Sequence, residues 1–393
     1  MPAERDIIYL DNNSSTRIDP TVLEEMMPFL TTQYGNPSGS HRFGTQVKEA
    51  TNLAHERVAA MLGCQPNEIV FTSGGTESDN TALHSALQMS PERRHVVTTS
   101  VEHNAVLNYC EALVRRGCEA TIVPVDEQGH LDLAELERAI RPDTAVVSVM
   151  WANNETGVIY PLEQIAEICR SKGVFFHTDA VQVVGKMPIN LADLPVHFLS
   201  LSGHKLHAPK GVGALYVNRK TRFQPLLVGG PQEGGRRAGT DNVASIVGLG
   251  KAAELAMSTL QEEDTRVRAL RDRFETTLAA ELEDVTINGD PSGRLPNTSN
   301  LAFNGVDAQA ILIKLDQESV CCSLGSSCTT GAAQPSHVLR AMQLTNERAR
   351  SSLRFSFGRF NTEPELDKVL EILPRIVRQL RTLSPAGVTA SAE

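Results

Sequence analysis

The sequence lacks any apolar run that approaches the ~20 residues a helix needs to cross a bilayer. It also lacks a basic segment followed by an apolar one at its start, so we expect no secretory signal and a cytoplasmic location. Positive charge is in deficit, because 37 Lys and Arg face 47 Asp and Glu and leave a formal net charge of −10. Clustered cations hold nucleic-acid phosphates and anionic lipid surfaces, so the deficit argues against a nucleic-acid or membrane partner.

Cysteine is sparse and odd in number, with seven in 393 residues. A disulfide framework is therefore not expected, and in a reducing compartment a cysteine with a role is reactive or binds a metal. Three cysteines, Cys321, Cys322 and Cys328, lie close together in the sequence. The four that fall in helical or apolar stretches, as inert core thiols do, are Cys64, Cys110, Cys118 and Cys169.

The chain does have an alternation of short β-rich runs with helical patterns, from about residue 65 to 220. Continuous apolar strands that alternate with helices predict an α/β fold, with a mostly parallel sheet covered by helices on both faces. In such sheets, ligands bind outside the carboxyl ends of the strands. From residue 242 the pattern becomes helical and then mixed, which predicts a second, smaller α+β unit, as the chain length also favours.

The first of four polar clusters at predicted strand ends is residues 73–79, SGGTESD. Its two glycines would let backbone N–H groups face an anion at the positive end of the following helix. We expect Thr76 and Asp79 to form a capping pair. The cluster is therefore a candidate phosphate site, with a well-capped helix as the alternative, and it is not a Walker A loop.

The other three strand ends carry an acid, a lysine and paired amides. Asp179 would be costly to bury unless a cation offsets its charge, so it is a candidate for binding a cationic group. The alternative is that Asp179 caps a helix. Lys205 leaves a buried strand on a short turn, and buried lysines form Schiff bases readily, although most lysines are exposed. Asn153 and Asn154 suit a turn or hydrogen bonds to a ligand. A phosphate cradle, an acid and a lysine at one edge fit pyridoxal phosphate.

At these residues the chain resembles the class V aminotransferase superfamily and, within it, the cysteine desulfurases, along almost its whole length. The resemblance implies the type I fold of pyridoxal-phosphate enzymes and a homodimer. It also implies a large cofactor domain over residues 15–258, a small α+β domain from residues 1–14 and 259–383, and a flexible tail over 384–393. The motifs that carry it are YLDNN (9–13), YGNPS (34–38), FTSGGTESDN (71–80), EH (102–103), HTDAVQ (177–182), SGHK (202–205), GGRRAGT (234–240) and SLRFSFGR (352–359).

The resemblance implies a role for each candidate residue. Lys205 would form the Schiff base with the cofactor and move the Cα proton of the substrate, and His103 would lie over the ring and act in proton transfer. Asp179 would pair with the ring nitrogen and Gln182 with the phenolic oxygen. The residues that would hold the phosphate are Gly75, Thr76, Ser202, His204 and, reaching into the other subunit, Thr240. The residues that would hold the carboxylate of L-cysteine are Asn154, which would also contact the cofactor, and Arg354.

The resemblance also implies that Cys328, within GSSCTTG (325–331), is the nucleophile that takes sulfur as a persulfide. The acceptor would be an iron–sulfur scaffold protein, and the only metal contact would be a transient one between Cys328 and a cluster held by that partner. Two segments, 150–157 and 201–211, look most like the nitrogen-fixation form, with the housekeeping form as the near neighbour. The chain departs from the family in its Cys321-Cys322 pair, either of which could form a disulfide with Cys328 under oxidation.

Two alternatives stay open from the sequence. One is a selenocysteine lyase or aminotransferase of the same fold, against which the loop around Cys328 argues. The other is a non-catalytic sulfur-relay or scaffold subunit, against which the joint presence of Thr76, Asp179 and Lys205 argues.

Overall fold

The computed structural model of the protein describes residues 7–324 and 335–383. The predicted nucleophile Cys328 and the predicted tail over residues 384–393 therefore lie outside the described residues.

A seven-stranded sheet forms the centre of the fold and confirms the predicted α/β architecture. Its strand order is β2-β8-β7-β6-β5-β3-β4, and only β8 runs against the others, so the other six carboxyl ends share one edge. Most of its strands are buried along their whole length, as expected for a sheet covered on both faces. The strands of the chain are β1 Ile8–Tyr9, β2 Ile69–Thr72, β3 His95–Thr99, β4 Glu119–Val123, β5 Thr144–Ser148, β6 Phe175–Asp179, β7 Phe198–Ser202, β8 Gly213–Val217, β9 Val285–Ile287, β10 Thr298–Phe303, β11 Val320–Cys321 and β12 Ser352–Ser356.

Helices follow most strands of the large sheet and supply its covering layers. The helix α3 begins within the SGGTESD cluster, so Gly75 and Thr76 belong to its first turn. The α-helices are α1 Pro20–Thr31, α2 Arg42–Leu62, α3 Gly75–Met89, α4 Asn104–Val114, α5 Leu133–Ala139, α6 Leu162–Lys172, α7 Val243–Glu262, α8 Arg268–Glu281, α9 Ala308–Gln317, α10 His337–Ala341, α11 Asn346–Arg350 and α12 Glu363–Leu383.

The helices α7 and α8 join through a π-helical turn, Glu263–Val267, into one run. Among the described residues, this run, Val243–Glu281, is the one stretch with the length and apolar composition of a membrane span. However, 61% of its most apolar window is buried within the fold. That burial is typical of a core helix, which passes the same test.

A separate cluster of buried side chains joins the start of the chain to its C-terminal part. The strand β1 pairs in parallel with β11, and a second sheet has the order β12-β10-β9. Ile8 and Leu10 pack in this cluster with buried residues between positions 267 and 377. The N-terminal segment is thereby held beside β12, where Asp11 bridges to Ser356. This arrangement brings the residues that follow β1 to the edge of the large sheet.

Candidate active site

A cavity of about 350 Å³ lies at the carboxyl edge of the large sheet. Its wall comes from the ends of five strands, from the segment after β1 and from β12. Thr240 is exposed and does not line the cavity, and Cys328 lies outside the described residues. The predicted site residues that the structure brings together in this wall are Gly75, Thr76, His103, Asn154, Asp179, Gln182, Ser202, His204, Lys205 and Arg354.

The first turn of α3 forms the part of the wall predicted to bind phosphate. A β-carbon at Gly75 would lie only 2.9 Å from Val181 Cγ2, so a larger residue could not take this place without a shift. The first N–H groups of a helix have no intrahelical acceptor, and Gly75 and Thr76, the first two residues of α3, line the cavity. The predicted capping pair of Thr76 and Asp79 is wrong. The N-cap is Gly74, which has no side chain to cap the helix, and Glu77 Oε2 accepts a hydrogen bond from Ser73 N, just before it, at 2.8 Å.

Asp179 ends β6 with its carboxylate almost fully buried in the cavity wall. Its Oδ1 accepts a hydrogen bond from Val181 N at 2.9 Å. Burial and the neighbouring Asp79 raise the pKa of Asp179 to about 7, with His103 acting in the opposite direction. Within the described part of the chain this carboxylate forms no ion pair at contact distance, although Lys205 and His103 act on it through space. The position therefore suits a ligand that brings a positive charge.

A buried polar network surrounds His177, two residues before Asp179 on the same strand. His177 Nδ1 lies 2.8 Å from Ser148 Oγ, and its Nε2 lies 2.9 Å from Ser200 Oγ. Asp79 Oδ1 is 3.4 Å from the same Nε2, and burial raises the pKa of Asp79 to about 7. Burial lowers the pKa of His177 to about 4, so this ring is neutral at physiological pH. These hydrogen bonds fix the ring of His177 on the strand that ends at Asp179.

Lys205 reaches the cavity from the turn that follows β7. Its Nζ donates hydrogen bonds to the main-chain oxygens of Asn13 at 2.5 Å and Ser14 at 2.7 Å. Desolvation, together with the nearby cations Arg354 and Lys186, lowers its pKa to about 7. A lysine in this state carries a substantial neutral fraction at neutral pH and can act as a nucleophile or base.

Arg354 projects from β12 toward the same cavity and is almost fully buried. Its Nη1 donates to the main-chain oxygen of Asn154 at 2.9 Å. Its Nη2 donates to Asp11 Oδ1 at 2.8 Å and to Ser14 Oγ at 2.7 Å. The buried Nε has no hydrogen-bond partner in the described residues. Because a guanidinium binds carboxylates in pairs of N–H bonds, this unsatisfied donor suits an incoming carboxylate.

His103 is the N-cap of α4, and its Nδ1 accepts a hydrogen bond from Ala105 N at 3.1 Å. In the neutral ring the hydrogen must therefore lie on Nε2. Burial lowers the pKa of His103, Lys205 and His337 lower it further, and Asp179 acts in the opposite direction. The neutral ring can therefore donate a hydrogen bond through Nε2.

The remaining predicted phosphate ligands lie on two segments. Burial and Lys205 lower the pKa of His204 to about 4, so its ring is neutral and its Nδ1 lies 3.3 Å from Ser15 Oγ. The segment that carries Thr240 is tied to α3, because Arg237 Nε donates to Glu77 Oε1 at 2.9 Å.

None of the cysteines in the described ranges lines the cavity. Cys110 and Cys169 are buried, as predicted, whereas Cys64 and Cys118 are only half-buried. Burial raises the pKa of Cys64, Cys110 and Cys169 to about 12. Those three thiols are protonated at neutral pH and unreactive.

The described residues contain no group of three or more His, Cys, Asp or Glu side chains placed to hold a metal ion. His204 and His207 lie three residues apart in the sequence but have different surroundings. His204 lies in the cavity wall, whereas His207 Nδ1 lies 2.8 Å from the main-chain oxygen of Arg17.

The sequence did not single out Asn13 or Asp79 as site residues, although both line the cavity. Asp79 could have been found, because it lies one helical turn after Thr76 and so shares a face of α3 with it. Asn13 gives no such signal, since contacts with distant segments bring it to the sheet edge: β1 pairs with β11, and Asn13 N donates to Ser356 Oγ at 2.9 Å.

Comparisons with known proteins agree on one family. The model of the family described as aminotransferase class-V matches residues 8–369. A cysteine desulfurase from Nostoc sp. is 52% identical over 379 residues, which cover 96% of this chain and 95% of that protein. The cysteine desulfurase NifS from Azotobacter vinelandii is 52% identical over 96% of this chain and 94% of its own length. A solved structure titled NifS-like protein has a TM-score of 0.90 at 37% identity and covers 95% of this chain and 100% of its own.

Proposed function

This chain belongs to the aminotransferase class-V family and is a cysteine desulfurase, and from that premise we propose how its residues divide the work. The chain takes sulfur from L-cysteine, releases L-alanine and carries the sulfur as a persulfide on Cys328. In this step the Cβ–S bond of the substrate breaks, a bond forms between that sulfur and the Cys328 thiolate, and Cβ takes up a proton to give alanine.

The cofactor that fits the cavity is pyridoxal phosphate, which supplies a ring that accepts the electron pair released at the substrate Cα. The observation that carries this proposal is Asp179. Its buried carboxylate forms no ion pair at contact distance within the described part of the chain, and a protonated ring nitrogen would provide one. An anionic phosphate would accept from the first turn of α3 at Gly75 and Thr76 and from the Ser202 hydroxyl.

The chain's own groups can then bind the substrate and move protons. Arg354 and Asn154 would hold the carboxylate of L-cysteine, with the unsatisfied Nε of Arg354 as one donor. Lys205 Nζ would take the proton from Cα, because its lowered pKa leaves the amine available as a base. His103 would donate or accept a proton at Nε2, because its other ring nitrogen, Nδ1, already accepts a hydrogen bond from Ala105 N.

The placement of Thr240 supports a homodimer with shared sites. Thr240 is exposed and outside its own cavity, while its segment is tied to the phosphate-binding helix through Arg237 and Glu77. A threonine so placed could reach the phosphate in the other subunit. We further propose a cytoplasmic location and the division into residues 15–258, with residues 1–14 and 259–383 forming the smaller domain.

The sulfur acceptor that we propose is an iron–sulfur scaffold protein. The only metal contact of Cys328 would be a transient one, with a cluster held by that partner. The similarity to NifS supports nitrogenase cluster assembly as the destination, in preference to general supply.

The function is tested by adding L-cysteine to the purified protein reconstituted with pyridoxal phosphate. We expect a visible absorption band from the bound cofactor, a change of that band on addition of L-cysteine, and equal yields of alanine and transferable sulfur. L-Alanine should change the band without releasing sulfur. A protein that binds no cofactor, or that forms pyruvate and ammonia in place of alanine, would contradict the proposal.

Replacement of Asp179 by asparagine should weaken cofactor binding. An amide cannot offset the positive charge of a ring nitrogen, and a charge-assisted hydrogen bond contributes about 1.5–3 kcal/mol. We therefore expect cofactor affinity to fall roughly 10–100-fold, as measured by titration of the visible band. The control is Asp193→Asn, at an exposed acid on the segment after β6, which should bind cofactor like the wild type. Equal affinities for all three proteins would contradict the role of Asp179.

A further inference from the structure

Lys186 is a buried lysine whose polar contacts lead to the cavity wall. Only 7% of the residue is exposed, and it lies four residues after Gln182 on the segment that follows β6. Its Nζ donates to Gln182 Oε1 at 3.1 Å and to Asn13 Oδ1 at 3.3 Å. Buried lysines are rare unless a partner offsets their charge or the charge has a function.

Two contacts fix which way the Gln182 amide points, one with Lys186 and one with the main-chain oxygen of Asn13. Gln182 Nε2 donates to the main-chain oxygen of Asn13 at 3.0 Å, the same oxygen that accepts from Lys205. If the amide were reversed, its NH2 group would face the ammonium of Lys186, and two donors would meet. The ammonium thus keeps the amide oxygen on its own side and the NH2 group on the cavity side. One hydrogen of that group is used by Asn13, and the second is left for a ligand.

Several charged groups surround Lys186 from the elements packed against it. Glu263 of the π-helical turn attracts it, and Glu263 Oε2 is buried with no hydrogen-bond partner among the described residues. Arg354 of β12 repels it, and the charge of Lys186 in turn helps lower the pKa values of Lys205 and His207 on the turn after β7. Arg359, after β12, faces the same Glu263. Burial lowers the pKa of Lys186 itself to about 8, so it is mostly cationic near pH 7.

We propose that Lys186 is a positioning residue that holds the Gln182 amide with its N–H toward the phenolic oxygen of the cofactor and adds a positive charge beside Lys205. This inference rests on the proposed function, because it assumes pyridoxal phosphate in the cavity. It concerns a residue that touches neither substrate nor cofactor and acts through Gln182.

The proposal predicts the direction of a spectroscopic change. A hydrogen bond donated to an anionic oxygen stabilises the anion, and a nearby cation does the same, so both lower the pH at which the visible band of the bound cofactor changes from its protonated to its deprotonated form. In Lys186→Met the cation is gone and the amide keeps only its contact with the Asn13 oxygen, so its orientation is less firmly held. The pH midpoint of the band should therefore rise by about one unit.

The experiment is a pH titration of the visible band in four holoenzymes: wild type, Lys186→Met, Gln182→Ala and the double variant. Because Lys186 acts through Gln182, the double variant should shift by less than the sum of the two single shifts. A fifth protein, Lys186→Arg, keeps the charge and donors and should restore most of the wild-type midpoint. A merely structural role for Lys186 would change thermal stability without moving the midpoint.

An unchanged midpoint in Lys186→Met, or a double-variant shift equal to the sum of the single shifts, would overturn the inference. If Lys186→Met does not fold, Lys186→Gln carries the same test. Its amide can present oxygen as well as NH2 to Gln182, so the midpoint should again rise, and an unchanged midpoint again overturns the inference. Failure of the proposed function is distinguished by the wild type, which would then show no cofactor band at all.

Discussion

Replacement of Lys205 by alanine should abolish turnover of L-cysteine. The variant loses the amine that attaches the cofactor and the base that moves the Cα proton. Removal of a positioned acid or base alone typically costs about 10²–10⁴-fold in rate, and loss of the covalent attachment adds to this. The pKa of about 7 matters here, because an ordinary lysine would be almost fully protonated at neutral pH. Alanine and sulfide release should therefore fall to the background rate.

The matched control for this variant is Lys210→Ala. Lys210 is exposed on the same segment, five residues further along the chain, so its loss changes the charge of the region without altering the cavity. We expect the control to keep wild-type activity and its visible band. Denaturation followed by mass spectrometry of the reduced holoenzyme should find the cofactor on Lys205 in both the wild type and the control. Turnover by Lys205→Ala within tenfold of the wild type would contradict the assigned role.

The sequence could predict the strand ends of this site because the relevant interactions are local. Buried parallel strands appear in the sequence as continuous apolar runs. Because the strands run in one direction, the polar residues that follow them must lie at the same edge of the sheet. Asp179 and Lys205 follow from that pattern alone, since β6 and β7 are neighbours in the sheet and run in the same direction. The antiparallel strand β8 does not disturb the prediction, because it separates two strands that share a direction.

The parts that the sequence could not predict depend on pairing between distant segments. Asn13 accepts hydrogen bonds from Lys205 and Gln182 because distant segments hold it there. The strand β1 pairs with β11, more than 300 residues away in the chain, and Asn13 N donates to Ser356 Oγ. The wrong capping pair in α3 has a related cause. Asp79 fits the capping pattern locally, but the helix begins at Gly75, so Asp79 lies beyond the first turn. Its buried carboxylate lies beside His177 instead.

Replacement of Cys328 by alanine should remove desulfurase activity while leaving the visible band of the bound cofactor in place. None of the cysteines in the described ranges lines the cavity, and burial raises the pKa of Cys321 and Cys322 as well as that of the core thiols. Cys328 is the cysteine that the resemblance places at the substrate, and loss of a nucleophile typically costs on the order of 10⁴–10⁶-fold. We expect no persulfide on this variant after L-cysteine, as judged by the absence of a mass increase of one sulfur atom.

The matched control is Cys321→Ala, which removes a half-buried thiol seven residues before Cys328. Because a raised pKa leaves Cys321 mostly protonated, it is a poor nucleophile, and the control should form the persulfide and release alanine at close to the wild-type rate. The control also tests the predicted oxidative disulfide. If Cys321 is the partner of Cys328, oxidation of the wild type should remove two free thiols and the activity, and a reductant should restore the thiols and the activity. Under the same oxidation, Cys321→Ala should keep its Cys328 thiol and its activity. Sulfur release by Cys328→Ala at the wild-type rate would show that another group attacks the substrate sulfur, since the cofactor site would still be intact.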